Sequence, residues 1–304
     1  ERLTADKKRP AVHTYNATLN SFTKFSGGQG TEEMLVTDVF TAGKLKEYEA
    51  WLRSRNASWN TVSTYMRVLK AVYNRLVEAK RLTYDARLFD SVYTKVEAQS
   101  KRSLTEEQMN TLLRTDFEKL PEDVQNVLAY FLLMFLFRGM PFIDMAYLRK
   151  QDLKEHCITY CRHKTGKKMV VRIPHEATAL FEKCRNKKTD SGYLFPILDE
   201  TTENEKKLYE NYRQALRTFN RKLAKMAALL LPGTNISSYT ARHTWATLAF
   251  YSGIPIGIIS KALGHSSIKV TETYLKPFEN EKVDAANDEL IMSVVKRSKE
   301  KIVA

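Results

Sequence analysis

A phenol, an imidazole, a guanidinium and an ammonium can act together on a phosphate, and the second half of this sequence holds one of each at regular-looking positions. Arg242 stands in "TARHTWAT", His265 in the turn "LGHSS", Tyr274 shortly before Pro277, and Lys164 in "HKTGKK". Twenty-three residues lead from Arg242 to His265, and nine more reach Tyr274. Each has a plainer explanation alone. A tyrosine near a helix-ending proline is half-buried packing, a lysine in a hairpin turn is solvated, and a histidine in a turn is a cap. The set gains meaning only if the fold brings the four together.

Apolar residues at steps of three and four run through the first hundred residues, which predicts helices only. Val12, Tyr15, Leu19, Phe22 and Phe25 mark the first helix, broken by Gly27, Gly28 and Gly30. A second is expected over about 44–55. The third, over about 58–80, has the strongest stripe, from Val62, Tyr65, Met66 and Leu69 to Val72, Tyr73, Leu76 and Val77. Its opposite face carries Asn60, Thr64, Arg67 and Asn74, a face for either solvent or DNA. The polar stretch "EAQSKRS" (97–103) divides the chain into a helical domain, 1–98, and a second domain, 99–304.

Past that boundary "TEEQ" (105–108) reads as a capping box. Residues 127–137 are an unbroken apolar run, a core helix too short to span a bilayer, and it runs into Arg138, Gly139, Met140 and Pro141. "HCITYCRHKTGKKMVVRIP" reads as a β-hairpin with Gly166 in the turn and Lys164 at the tip. Helices resume after Pro174, over about 205–229, through "SYTARHTWATLAFYSG", and in "PIGIISKALG". "SSIKVTETYLKP" would carry Tyr274 on a helix stopped by Pro277. A tail helix over about 281–297, apolar at Val283, Leu290, Ile291, Val294 and Val295, wants a groove on this chain or a neighbour. The expected fold class is mainly α with a small antiparallel β-sheet.

The 304 residues hold 49 Lys and Arg against 35 Asp and Glu, a net charge of +14. Both parts share the excess: 16 basic against 11 acidic residues up to position 98, then 33 against 24. A basic surface of this breadth seeks an anionic polymer, nucleic acid before membrane. Cys157, Cys161 and Cys184 cannot form a disulfide framework and suit a reducing cytoplasm. His156, Cys157, Cys161 and His163 lack a CxxC knuckle and lie along one strand, so no metal is expected there. No signal peptide opens the chain, which starts at Glu1 without Met.

Taken together, "TARHTWAT" and "GIPIGIISKALGHSSIKVTETYL" resemble the tyrosine recombinase (phage integrase) family, over about residues 105–277 and in the manner of integrases of conjugative transposons and related mobile elements. The helical first hundred residues look like the core-binding, SAM-like domain that precedes the α+β catalytic domain in that family. The resemblance implies that Tyr274 is the nucleophile on a DNA phosphodiester and keeps the 3′-phosphate as a phosphotyrosine. It implies that Arg242 grips the non-bridging oxygens, that Lys164 protonates the departing 5′-oxygen, and that His265 donates to the phosphate or steadies the nucleophile. It implies neither a metal nor any other cofactor.

Two positions depart from the family's pattern. The histidine of the usual HxxR box falls on Tyr239, which can donate a hydrogen bond but is a poor base at neutral pH. The first arginine, in a segment like "GLRxxEL", falls on Pro141, and Arg138 lies three residues earlier. Arg138 is thus either a substitute catalytic arginine or a structural partner of Asp144 or Asp152, depending on how the helix breaks at Gly139.

The function implied is site-specific recombination, integrating or excising a mobile element in a tetramer on double-stranded DNA, with accessory DNA-bending or directionality factors as further partners and no membrane. The protein would be cytoplasmic, and nucleoid-associated when acting. The alternatives are a degenerate member that only binds DNA and a type IB topoisomerase. Members of the family often carry an arm-binding domain ahead of the point where this sequence begins.

Overall fold

The computed structural model of the chain describes residues 9–27, 35–95, 103–199 and 204–275, and, further on, 283–284, 287–292 and 294–295. They fall in two compact units, Glu1–Gln99 and Ser100–Ala304.

The first unit is helical. It comprises α1 (Arg9–Phe25), the single turn α2 (Val36–Val39), α3 (Ala42–Ser54) and α4 (Trp59–Glu78). Thr41 and Ser58 start α3 and α4, each side-chain oxygen accepting an amide from the first turn, Lys44 at 3.1 Å and Thr61 at 3.2 Å. The facing stripes bury Leu45, Tyr48 and Leu52 of α3 against Val62, Met66, Leu69 and Tyr73 of α4. Leu88, Phe89 and Val92, beyond α4, complete this core, an addition the periodicity did not predict. On the far side of α4, Thr64 and Arg67 are exposed and Asn60 is half-exposed. Gly28, Gly30 and residues 97–102 of the expected connector lie outside the described residues.

The second unit is built around α6 (Glu122–Leu136). An apolar helix must be covered on all sides, and Val124, Val127, Leu128, Phe131, Leu132, Leu133 and Met134 are all buried. α8 (Thr178–Cys184), α9 (Glu205–Leu230) and α10 (Thr240–Tyr251) pack against it. α5 (Glu106–Leu113) opens with the expected capping box between Thr105 and Gln108. The hairpin pairs β2 (Cys157–Cys161) with β3 (Lys168–Arg172), and the two-residue strand β1 (Leu153–Lys154) adds an antiparallel edge. Its register sets Ile158 opposite Val171 and Tyr160 opposite Met169 on the buried face. Gly166 turns the hairpin at φ +66, a conformation open to glycine.

Short elements carry the rest of the site. α7 (Phe142–Tyr147) follows Pro141, α11 (Ile256–Leu263) ends on Gly264 in the left-handed region at φ +65, and α12 (Ile268–Glu272) is barely more than one turn. The expectation that Tyr274 sits on a helix running to Pro277 is corrected. α12 stops at Glu272, the Tyr274 amide turns back onto the Thr271 carbonyl at 2.9 Å, and the Thr247 hydroxyl donates to the Tyr274 carbonyl at 3.4 Å. Held by that hydroxyl of α10, the Tyr274 backbone leaves the helical course before the proline is reached.

Of the tail helix expected over 281–297, residues 283–284, 287–292 and 294–295 are helical and exposed, and the remainder lies outside the described residues. Among the described residues no helix is long and apolar enough to cross a membrane, and no three His, Cys, Asp or Glu side chains gather as a metal centre would need.

Candidate active site

Arg242 comes from the first turn of α10 and is 2% exposed. Its Nη1 donates to the Gly139 carbonyl at 2.8 Å, and its Nη2 donates to the Leu263 carbonyl and lies 3.0 Å from His265 Nε2. Its Nε is buried without a hydrogen-bond partner. The packing leaves no room for a side chain at Gly139: φ is +67, and a Cβ there would stand 2.9 Å from the Arg242 Cα. Burial first, then the charge of Arg162, lowers the Arg242 pKa from its ordinary value.

His265 follows the Gly264 cap and is 5% exposed. Burial, and next the charge of Arg242, push its pKa down to about 3, so the imidazole is neutral near pH 7. A neutral ring bonded by the arginine at Nε2 must carry its proton on Nδ1, which donates to Thr271 Oγ1 at 2.8 Å. The guanidinium and the Thr271 hydroxyl together fix the tautomer.

Tyr274, 9% exposed, lies against both groups. Its ring centroid is 4.8 Å from that of His265 and 4.6 Å from that of His243, and the Arg242 guanidinium carbon lies 5.8 Å from it. The Tyr239 ring is 6.5 Å away. Tyr239 is 40% exposed as a whole, but desolvation of its phenol, and then Tyr274 beside it, push it up to about 12, so it gives up its proton less readily than an ordinary tyrosine.

Lys164 is exposed at the hairpin tip, and its charge is among those that depress His265. Arg138 takes another direction. It is itself left-handed, at φ +59, and its Nη1 reaches the Val170 carbonyl of β3 at 3.4 Å. The helix break expected at Gly139 comes earlier: α6 ends at Leu136, and Arg138 and Gly139 are both left-handed residues of the turn that follows. Neither expected carboxylate partner is its own: Asp152 accepts the Arg149 amide at 2.8 Å, and Asp144 lies 3.8 Å from Arg162. The described structure thus brings Arg242, His265, Tyr274 and Tyr239 together, with Lys164 on the adjoining hairpin. Asn60, Thr64 and Arg67 belong to the other unit.

Three neighbours were not singled out in the sequence. Thr271 and His243 lie within motifs already quoted but carried no signal of their own. Arg162 did carry one: the inward alternation of Ile158 and Tyr160 continues to position 162, where an arginine is 3% exposed.

The comparisons with known proteins agree on a single family. The phage integrase family matches residues 102–281, and the phage integrase SAM-like domain matches residues 1–87. Tyrosine recombinase XerA of Pyrococcus furiosus is 26% identical over 78% of this chain and 76% of its own length. A tyrosine recombinase of Pseudothermotoga lettingae is 29% identical over 58% of this chain and 59% of its own. Transposase B from transposon Tn554 of Staphylococcus aureus is 28% identical over 77% of this chain, which spans 38% of that protein. In fold, the chain is similar to the Tn1549 transposon integrase in complex with a circular intermediate DNA, with TM-score 0.64 and 17% identity over 95% of this chain and 98% of that one. A lambda integrase dimer bound to a COC′ core site gives TM-score 0.63 and 14% identity over 87% of this chain and 88% of that one. The match over 102–281 covers more than half of the sequence and contains the whole Arg242, His265 and Tyr274 cluster, so the chain belongs to the phage integrase family, the tyrosine-type site-specific recombinases.

Proposed function

We propose that this recombinase breaks and rejoins double-stranded DNA through Tyr274, integrating or excising a mobile element. The Tyr274 oxygen attacks the phosphorus, the bond from phosphorus to the 5′-oxygen breaks, and the DNA remains attached as a 3′-phosphotyrosine. Because the phosphoester is conserved, the reverse attack by a 5′-hydroxyl restores an intact strand with no external energy source. Arg242 neutralises the non-bridging oxygens as charge develops on them, which requires its donors to turn from the Gly139 and Leu263 carbonyls to the phosphate. The leaving 5′-oxygen takes a proton from Lys164. The phenol proton of Tyr274 needs an acceptor. Tyr239, pushed up to about 12, is unfit, whereas the His265 Nε2 lone pair, which accepts from Arg242 here, is freed when that guanidinium turns to the phosphate, whose charge also offsets the cations that depress the ring.

The observation that carries this reading is the meeting of Arg242, His265 and Tyr274, from three separate segments, in one buried cluster. The basic charge and the exposed Asn60, Thr64 and Arg67 of α4 support the first unit as a DNA-binding module. Phosphate contacts there would set register, and base contacts would set the site. Similar solved structures include integrases on DNA, one of them a lambda integrase tetramer on a Holliday junction, and we extend that assembly to this chain, along with accessory bending or directionality factors. Action on chromosomal or element DNA would place it at the nucleoid.

The test is incubation with a nicked suicide duplex bearing the element's end. Wild type forms a covalent adduct that survives denaturation, and Tyr274→Phe shifts the duplex without forming one. A wild-type protein that binds but never forms an adduct would leave only a DNA-binding member of the family. Relaxation of supercoiled plasmid without any cognate site would favour the topoisomerase reading.

A further inference from the structure

Arg162 is a buried charge with no part in the steps above. It stands one position past β2, where the strand's alternation calls for an apolar residue, and only 3% of it is exposed. Burying a guanidinium is costly unless its donors are used. Its Nη1 donates to the Gly264 carbonyl at 2.7 Å, and its Nε lies 3.8 Å from the equally buried Asp144 carboxylate. Its stem presses on Gly264, where a Cβ would come within 3.2 Å of the Arg162 Cδ.

These bonds bear on Lys164, two residues on. The backbone of Arg162 closes the hairpin turn: its amide donates to the Lys167 carbonyl at 2.8 Å and its carbonyl accepts the Gly166 amide at 2.8 Å. Asp144 accepts the amide of His163, next to Lys164, at 2.9 Å. On the far side of the turn the Lys167 ammonium donates to the His265 carbonyl. The turn that bears Lys164 is therefore fastened to Asp144 of α7 and to the Gly264–His265 turn, and the side chain common to both is Arg162.

We propose that Arg162 is a positioning residue that docks the Lys164 hairpin onto the Gly264–His265 turn and so sets where the leaving-group proton is delivered. The inference rests on Lys164 as the general acid. A guanidinium suits the docking role because its fork can serve a carbonyl and a carboxylate at once, which a lysine ammonium does with less directional hold.

The experiment compares cleavage of two nicked suicide duplexes by the full chain, one with an ordinary scissile phosphate and one with sulfur in the 5′-bridging position. The thiolate leaves without a proton, so loss of acid catalysis is repaired on that substrate alone. R162A and R162K should be slowed by about 100-fold or more on the ordinary duplex, within the span general-acid catalysis supplies, and recover to within about threefold of wild type on the sulfur duplex. K164A should behave the same way. Because R162A strands the Asp144 charge, R162M combined with D144N, which removes buried charge of both signs, serves as the second variant. If the R162 variants and the double variant are equally slow on both duplexes, or are unimpaired on the ordinary one, while K164A is rescued, Arg162 does not position the acid and the proposal fails alone. If K164A is not rescued, the assignment of Lys164 fails and takes the proposal with it.

Discussion

The outer face of α4 and the Arg242 cluster are both read here as surfaces for DNA, yet they are built in opposite ways. Asn60, Thr64 and Arg67 come from one helix, one and two turns apart, and the latter two are exposed. Arg242, His265 and Tyr274 come from α10, the turn after α11 and the turn after α12, and all three are buried. A face on one helix depends on nothing beyond the helix, so each residue on it acts nearly alone. A cluster gathered from several segments depends on every backbone group that holds it, so distant small changes become large. The two regions should therefore respond to substitution with quite different magnitudes.

The sharpest way to break that contrast is Gly139→Ala, a single methyl group. It would meet the Arg242 Cα at 2.9 Å in a backbone held at φ +67, so Arg242 must shift. Displacements of about 1 Å in a catalytic group lower rates by about 100-fold, and covalent adduct formation should fall at least that far. Duplex binding through the first unit should persist in a gel-shift assay. Wild-type rates in this variant would mean that the Arg242 position is not set by its contact with Gly139.

A medium effect is expected from pH. Unfolded His265 takes up a proton below about pH 6.5, whereas the folded ring, held at about 3, does not. Between those values the unfolded state binds more protons, so stability falls as pH falls, by on the order of 2 kcal/mol at pH 5. Urea midpoints at pH 7.5 and pH 5 should separate by more in wild type than in His265→Gln. Equal pH dependence in the two proteins would place the acid sensitivity elsewhere.

The smallest effects belong to α4. Arg67→Ala should weaken duplex binding a few-fold and lower the salt slope of the affinity by about one. Thr64→Ala should change binding by less than about twofold, because the Thr64 hydroxyl is already spent on the Asn60 carbonyl at 2.7 Å. If Thr64→Ala equals or exceeds Arg67→Ala, α4 does not meet DNA in the way described.

The same contrast explains what could be read in advance. Helix periodicity depends on local sequence, so the stripes of α3 and α4, the all-round burial of α6 and the hairpin at Gly166 were legible from residue types alone. The cluster residues were legible because their motif and spacing are shared with a family, not because anything local declares them. Arg138 was not legible: its direction depends on a positive φ at a non-glycine residue, which spacing cannot disclose. The early stop of α12 was missed because the pull comes from Thr247, on a different helix. Arg162 was hidden by its own charge, since an arginine at an inward strand position reads as an interruption of the pattern, although here it continues it.

The central claim is that Tyr274, rather than Tyr239 with its ring centroid 6.5 Å away, forms the bond to DNA. Trapping the covalent complex on a suicide duplex, digesting both partners and locating the nucleotide-modified peptide by mass spectrometry decides between them directly. The modification is predicted on Tyr274, within the peptide that also contains Thr271; its appearance on Tyr239 or any other residue would contradict the account.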